Sequence, residues 1–136
     1  MMTIALFLAH LVGDYILQWD ALALAKSRSF KGVLDHCAIV ALVTLLFALP
    51  FSNPIWWEGI LVISVAHFVI DAGQLWVKPP LAPLARYVLD QSLHVLVIVM
   101  ALAWGGFLDL FSWLGWVSAV FHDKLNFYER PLYLPV

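Results

Sequence analysis

Charge is scarce in this sequence. Of its 136 residues only 12% are Asp, Glu, Lys or Arg, against about 25% in a soluble domain. That is too little polar surface to cover a globule in water, which excludes a soluble enzyme. Cys37 is the single cysteine, so a disulfide scaffold is excluded as well. Seven Lys and Arg against nine Asp and Glu give a net charge of −2, with no basic footprint for nucleic acid. No alternating segments of about ten residues recur, so a membrane β-barrel is not expected. What is abundant is apolar: 64% of residues are hydrophobic, and the mean hydropathy is +0.94. These values exclude disorder and point to one integral membrane domain over residues 1–136, an all-α polytopic helix bundle.

A spanning helix needs about 20 mostly apolar residues. Four stretches qualify, at about residues 2–18, 32–49, 55–77 and 83–104. The last three stop at Pro50, at Lys78-Pro79-Pro80 and at Gly105-Gly106, because proline cannot continue a helix and paired glycines loosen one. A fifth stretch, about residues 107–121, is roughly 22 Å long as a helix and short of the ~30 Å core. It reads as either a short span or an interfacial helix. Residues 19–30 (WDALALAKSRSF) suit a short interfacial helix. The first stretch lacks a basic leader and contains His10 and Asp14, so it is read as a helix and not as a cleaved signal. Trp19, Trp56, Trp57, Trp76 and Trp104 fall near span ends, where tryptophan anchors at the interface.

Basic residues orient the bundle. Lys26, Arg28 and Lys31 lie between the first two spans, Lys78 and Arg86 around the third connection, and none between spans two and three. The positive-inside rule then puts the first and third loops in the cytoplasm and the N-terminus outside.

Ionisable residues inside a bilayer carry the functional signal. Each span holds one His and one Asp: His10 and Asp14, Asp35 and His36, His67 and Asp71, Asp90 and His94. Three of these pairs are spaced i,i+4 and share a helix face. Asp35 and His36 are adjacent and cannot, so His36 is expected to face the site while Asp35 pairs with Lys31. Counted from the proposed cytoplasmic ends, the carboxylates form a layer about 6–11 Å deep and most of the histidines one about 12–17 Å deep. One carboxylate at a helix centre costs about 2.5–3.5 kcal/mol on insertion scales, so four ask for cations. Lys31 and Arg86 stand one turn from Asp35 and Asp90. Asp14 and Asp71 have no basic partner on their own helices.

His and Asp donors suit Zn, Fe or Mn. The expected ligands of one or two divalent ions are His10, Asp14, His36, His67, Asp71, Asp90 and His94. Gln18, Ser64, Gln74 and Gln91 follow the same faces and are expected to orient those ligands. Gly13, Gly32 and Gly73 are expected to admit close helix approach.

The segments AHLVGDYILQWD, LDH, HFVIDAGQ and LDQSLHVLVI together resemble the bacterial membrane family called domain of unknown function 3307, over about residues 4–100. The resemblance implies a bacterial inner-membrane protein and no assigned activity. HFVIDAGQ is also similar to the HxxxD helix of bacterial membrane-bound metal-dependent hydrolases, a short likeness that implies metal-assisted hydrolysis.

The reading that combines these signals is an intramembrane metal site near the cytoplasmic side, extended to hydrolysis of a lipid or lipid-linked substrate. Asp90 or Asp35 would then serve as general base, and Lys31 or Arg86 would hold an anionic head group. Two alternatives stay open. One is proton or cation translocation along the Asp and His side chains. The other is a purely structural role in which His–Asp pairs hold the bundle together.

Overall fold

The computed structural model describes residues 1–51, 54–77, 79–109, 115 and 118–119. Five helices follow one another: α1 (Met2–Leu11), extended by a π-helical turn (Val12–Ile16); α2 (Asp20–Arg28); α3 (Phe30–Ala48), extended by a 3-10 turn (Leu49–Phe51); α4 (Pro54–Trp76); and α5 (Pro83–Trp104). No strand occurs among the described residues. Lys78, most of residues 107–121 and the whole tail beyond them lie outside the described residues.

Three helices are long and apolar enough to cross a membrane: Phe30–Phe51, Trp56–Trp76 and Pro83–Trp104. At 1.5 Å per residue each reaches roughly 30 Å. The first of the four expected spans differs. The helical run Met2–Ile16 stops short, and the chain turns by 90° into α2. Within the π turn the Leu17 amide reaches back five residues to the Val12 carbonyl at 2.9 Å. The ladder therefore slips by one residue around Gly13 and Asp14, a feature common at functional sites.

Local chemistry explains the hairpin from α2 to α3. The Ser29 hydroxyl accepts the Gly32 amide at 3.0 Å, capping α3, and donates to the Ala25 carbonyl at 3.1 Å, closing α2. Gly32 is needed for the approach, because a Cβ there would fall 2.2 Å from the Ala25 carbonyl carbon. Leu22 is buried, so α2 packs onto the bundle. Pro83 opens α5 at its first position, where its missing N–H costs nothing.

The bundle has an apolar end and a polar end. Met2, Leu6, Ala48, Trp56, Ile60, Ile63, Ile98, Ala101 and Leu102 form the apolar core. Trp56 belongs to it: the ring is fully buried, 4.3 Å between centroids from Phe107, which corrects its expected role as an interfacial anchor. Trp19, Trp57, Trp76 and Trp104 are exposed. So are the apolar stripes Leu42 and Leu46 on α3, Leu61, Val65 and Val69 on α4, and Leu84, Leu96 and Met100 on α5.

Candidate metal centre

The polar end gathers side chains from α1 and its π turn, α3, α4 and α5. His10, Asp14, His36, His67, Asp71 and His94 are all buried. Four donor atoms define the middle of the cluster. His36 Nε2 lies 3.5 Å from Asp14 Oδ1 and 3.4 Å from Asp71 Oδ2. His67 Nε2 lies 3.5 Å and 3.3 Å from the same two oxygens. The two ring nitrogens are 3.4 Å apart. Two triangular faces, each with edges of 3.3–3.5 Å, thus share the His36–His67 edge. Zinc bonds of about 2.0–2.1 Å in tetrahedral directions set donors roughly 3.3–3.4 Å apart.

Two further groups of three flank that centre. His10 joins Asp14 and His67, and His94 joins Asp71 and Asp90; within each group the ligand atoms lie within 4.8 Å of one another. The His10 and His94 rings stack at 5.5 Å, and His94 leans on His67 at 4.2 Å. His10 Nε2, Asp14 Oδ1, Asp71 Oδ1 and His94 Nε2 are buried without a hydrogen-bond partner among the described residues. Orphaned buried polar atoms are costly, and these groups of His and Asp could hold a metal ion that satisfies them.

Gln91 donates to Asp14 Oδ2 at 3.5 Å and to Asp90 Oδ2 at 3.3 Å, Gln74 donates to Asp90 Oδ1, and Gln18 accepts from Lys26 at 3.5 Å. Ser64 is half-buried, one turn beyond His67 and away from Asp71. Gly13 meets Val40 closely, with a Cβ there at 3.0 Å. Gly73 does not serve helix packing: a Cβ there meets nothing within 4 Å, and the residue lines the cavity described below.

Asp35 and Lys31 stand apart from this centre. Lys31 Nζ is 2.7 Å from Asp35 Oδ2 on the outer face of α3, with the two side chains 83% and 49% exposed. The expected catalytic use of Asp35 and anion-binding use of Lys31 therefore do not fit their positions, since adjacent helical residues point about 100° apart and His36 takes the inward one. Arg86 forms no ion pair with Asp90 among the described residues; it is exposed and lines the cavity.

Sequence reasoning missed Lys26. Its ammonium reaches back from α2 to Asp71 Oδ2 at 2.8 Å. It also missed Cys37, whose Sγ donates to Asp71 Oδ2 at 3.7 Å, and the Tyr15–Tyr87 hydroxyl pair, from which Tyr15 donates to Gln91 Oε1 at 3.1 Å. The i,i+4 spacing of Tyr87 and Gln91 was a usable signal; nothing near Lys26 announces its partner.

A cavity of about 900 Å³ reaches the cluster between α2, α4 and α5. Asp14, Asp71 and Asp90 line it, with Lys26 and Arg86 as cations and Val69, Ile70, Leu89 and Leu93 among its apolar walls. Beyond the histidines the space shrinks to about 10 Å³, enclosed by Leu6, Val40, Thr44, Ile63, Val97 and Ile98.

The family model described as protein of unknown function DUF3307 matches residues 2–120. The chain belongs to the DUF3307 family. No curated protein and no solved structure matches it. The DUF3307 match covers α1 to α5 and every donor of the cluster, so the buried His and Asp side chains lie inside the matched region.

Proposed function

We propose that this DUF3307 protein is a multi-pass bacterial inner-membrane protein that binds divalent metal at its buried His/Asp cluster. The observation that carries the reading is that Asp14 Oδ1 and Asp71 Oδ2 each lie 3.3–3.5 Å from both His36 Nε2 and His67 Nε2, which are 3.4 Å apart. Zn, Fe or Mn suits that donor set. Three helices of spanning length and their exposed apolar stripes support the membrane setting. Lys26, Arg28, Lys31 and Arg86 lie toward the polar end, and the positive-inside rule supports reading that end as cytoplasmic and the N-terminus as external.

The cavity extends the reading to a metal-dependent hydrolase. A bound divalent ion supplies activated water and polarises the scissile group. Asp90, 17% exposed at the edge of the cluster, is the carboxylate we assign as a further ligand or general base. Arg86 is the cation for an anionic head group, and apolar walls beside acidic ones suit a lipid or lipid-linked molecule.

Lys26 favours a second reading. Its ion pair with Asp71 supplies a cation without metal, and the His–Asp contacts then act as helix glue. Proton relay is the weaker alternative, because a relay needs a polar route beyond the histidines and the small cavity there is mostly apolar.

Elemental mass spectrometry of the detergent-purified protein, beside a His67→Ala, Asp71→Ala double variant, separates these readings. Stoichiometric Zn, Fe or Mn in the wild type and its loss in the double variant are expected. A folded wild type that stays metal-free after metal is supplied would overturn the proposal and leave the structural role.

A further inference from the structure

Asp71 turns its two oxygens toward different donors. Oδ2 faces His36 Nε2 and His67 Nε2 at 3.4 and 3.3 Å, and Oδ1 faces His94 Nε2 at 3.8 Å. Both Oδ1 and His94 Nε2 are buried with no hydrogen-bond partner among the described residues. The other ring nitrogen of His94 is already engaged. Its Nδ1 lies 2.9 Å from the backbone carbonyl of Asp90, and a carbonyl only accepts. Nδ1 is thus engaged on the Asp90 side, 2.9 Å from that carbonyl and 3.4 Å from Asp90 Oδ1, and Nε2 is the ring atom turned toward Asp71. A metal ion between Nε2 and Oδ1 would satisfy both of these buried, unpartnered atoms. The Asp90 carboxylate completes a group of three with Asp71 and His94, and Gln74 and Gln91 hold it from behind.

We propose that Asp71 bridges two divalent ions. Its Oδ2 serves the ion bound by Asp14, His36 and His67, and its Oδ1 serves a second ion bound by His94 and Asp90. This rests on the metal-binding reading and deepens it. A carboxylate that serves one ion with each oxygen suits the ~3.5–4 Å separation of two-metal centres. The Lys26 ammonium engages Oδ2, the same oxygen as the first ion, and leaves Oδ1 to the second.

The test loads the detergent-purified full chain with Mn²⁺ and combines metal counting with electron paramagnetic resonance. Two ions per chain and an exchange-coupled signal are expected for the wild type. The His94→Ala variant should fall to one ion with an isolated six-line signal, while Asp35→Asn keeps both ions. The wild-type count decides even if His94→Ala does not fold. One ion in the wild type overturns the bridge while the first site stands; no ion at all overturns the metal reading itself.

Discussion

The Lys26 ammonium lies 2.8 Å from the Asp71 carboxylate, with the Asp71 side chain wholly buried and that of Lys26 14% exposed. The two residues belong to helices that are distant along the chain. Their meeting depends on the 90° bend after the π turn, which folds α2 back beneath the bundle. Lys26 is therefore the resident counter-ion of the carboxylate that both proposed ions need.

That competition gives the first prediction. In Lys26→Met the flexible apolar stem remains while the charge is lost. A charge-assisted hydrogen bond contributes about 1.5–3 kcal/mol, so freeing Asp71 from it should raise zinc affinity roughly ten- to hundredfold. Without metal the same variant strips a buried carboxylate of its lysine partner, and breaking such a pair costs about 3–5 kcal/mol. Thermal melts in chelator should show a marked loss of stability, and added zinc should recover most of it. A loss that zinc leaves untouched would favour Lys26 as a purely structural cation.

Two glycines should respond in opposite ways to alanine. At Gly32 the new Cβ meets backbone atoms of Ala25 at 2.2 and 2.3 Å, which cannot swing aside as a side chain would. Gly32→Ala should push α2 off α3, cost about 1–3 kcal/mol or more, and withdraw Lys26 from Asp71. At Gly73 the Cβ meets open space. Gly73→Ala should be neutral or stabilising by up to about 1 kcal/mol, from helix propensity. Equal melting temperatures for the two variants would contradict the close α2–α3 approach.

Asp35 and Asp71 each pair with a lysine, yet their environments separate them. The Lys31–Asp35 pair is solvated, and such pairs contribute less than about 0.5 kcal/mol. Asp35→Asn should melt within a degree or two of the wild type and bind the same amount of metal. Asp71→Asn removes charge from a wholly buried group and should abolish metal binding. Chemical or thermal unfolding in the presence of zinc, with metal counted in parallel, checks both halves.

Much of this was legible because its causes are local. Pro50, the Pro79-Pro80 pair and Gly105-Gly106 act on their own backbone, so the ends of the long helices could be read directly. The i,i+4 pairs His67–Asp71 and Asp90–His94 share a helix face by geometry alone, and adjacency forced Asp35 outward once His36 turned in. The π turn was hidden, because slipping the hydrogen-bond ladder by one residue leaves the apolar pattern of Met2–Ile16 intact. Lys26 was hidden for a different reason: its partner is set by the bend that follows. Trp56 sits near a span end like the other tryptophans, and only the packing of Phe107 against it distinguishes a core ring from an interfacial one.

Gln91 offers the sharpest test of the carboxylate layer, because it touches two expected ligands and is not one itself. Its amide donates to both Asp14 and Asp90 and accepts from the Tyr15 hydroxyl, so it fixes the spacing of the two carboxylates across α1 and α5. Gln91→Leu keeps comparable bulk and removes these bonds. Loss of a group that orients metal ligands typically costs 10–100-fold in affinity, and about that weakening of zinc binding is expected in a chelator competition. Tyr15→Phe removes only the hydroxyl behind Gln91 and should weaken binding less. If Gln91→Leu lowered the melting temperature while zinc affinity held, Gln91 would be a packing residue and the carboxylates it joins would not be acting on metal.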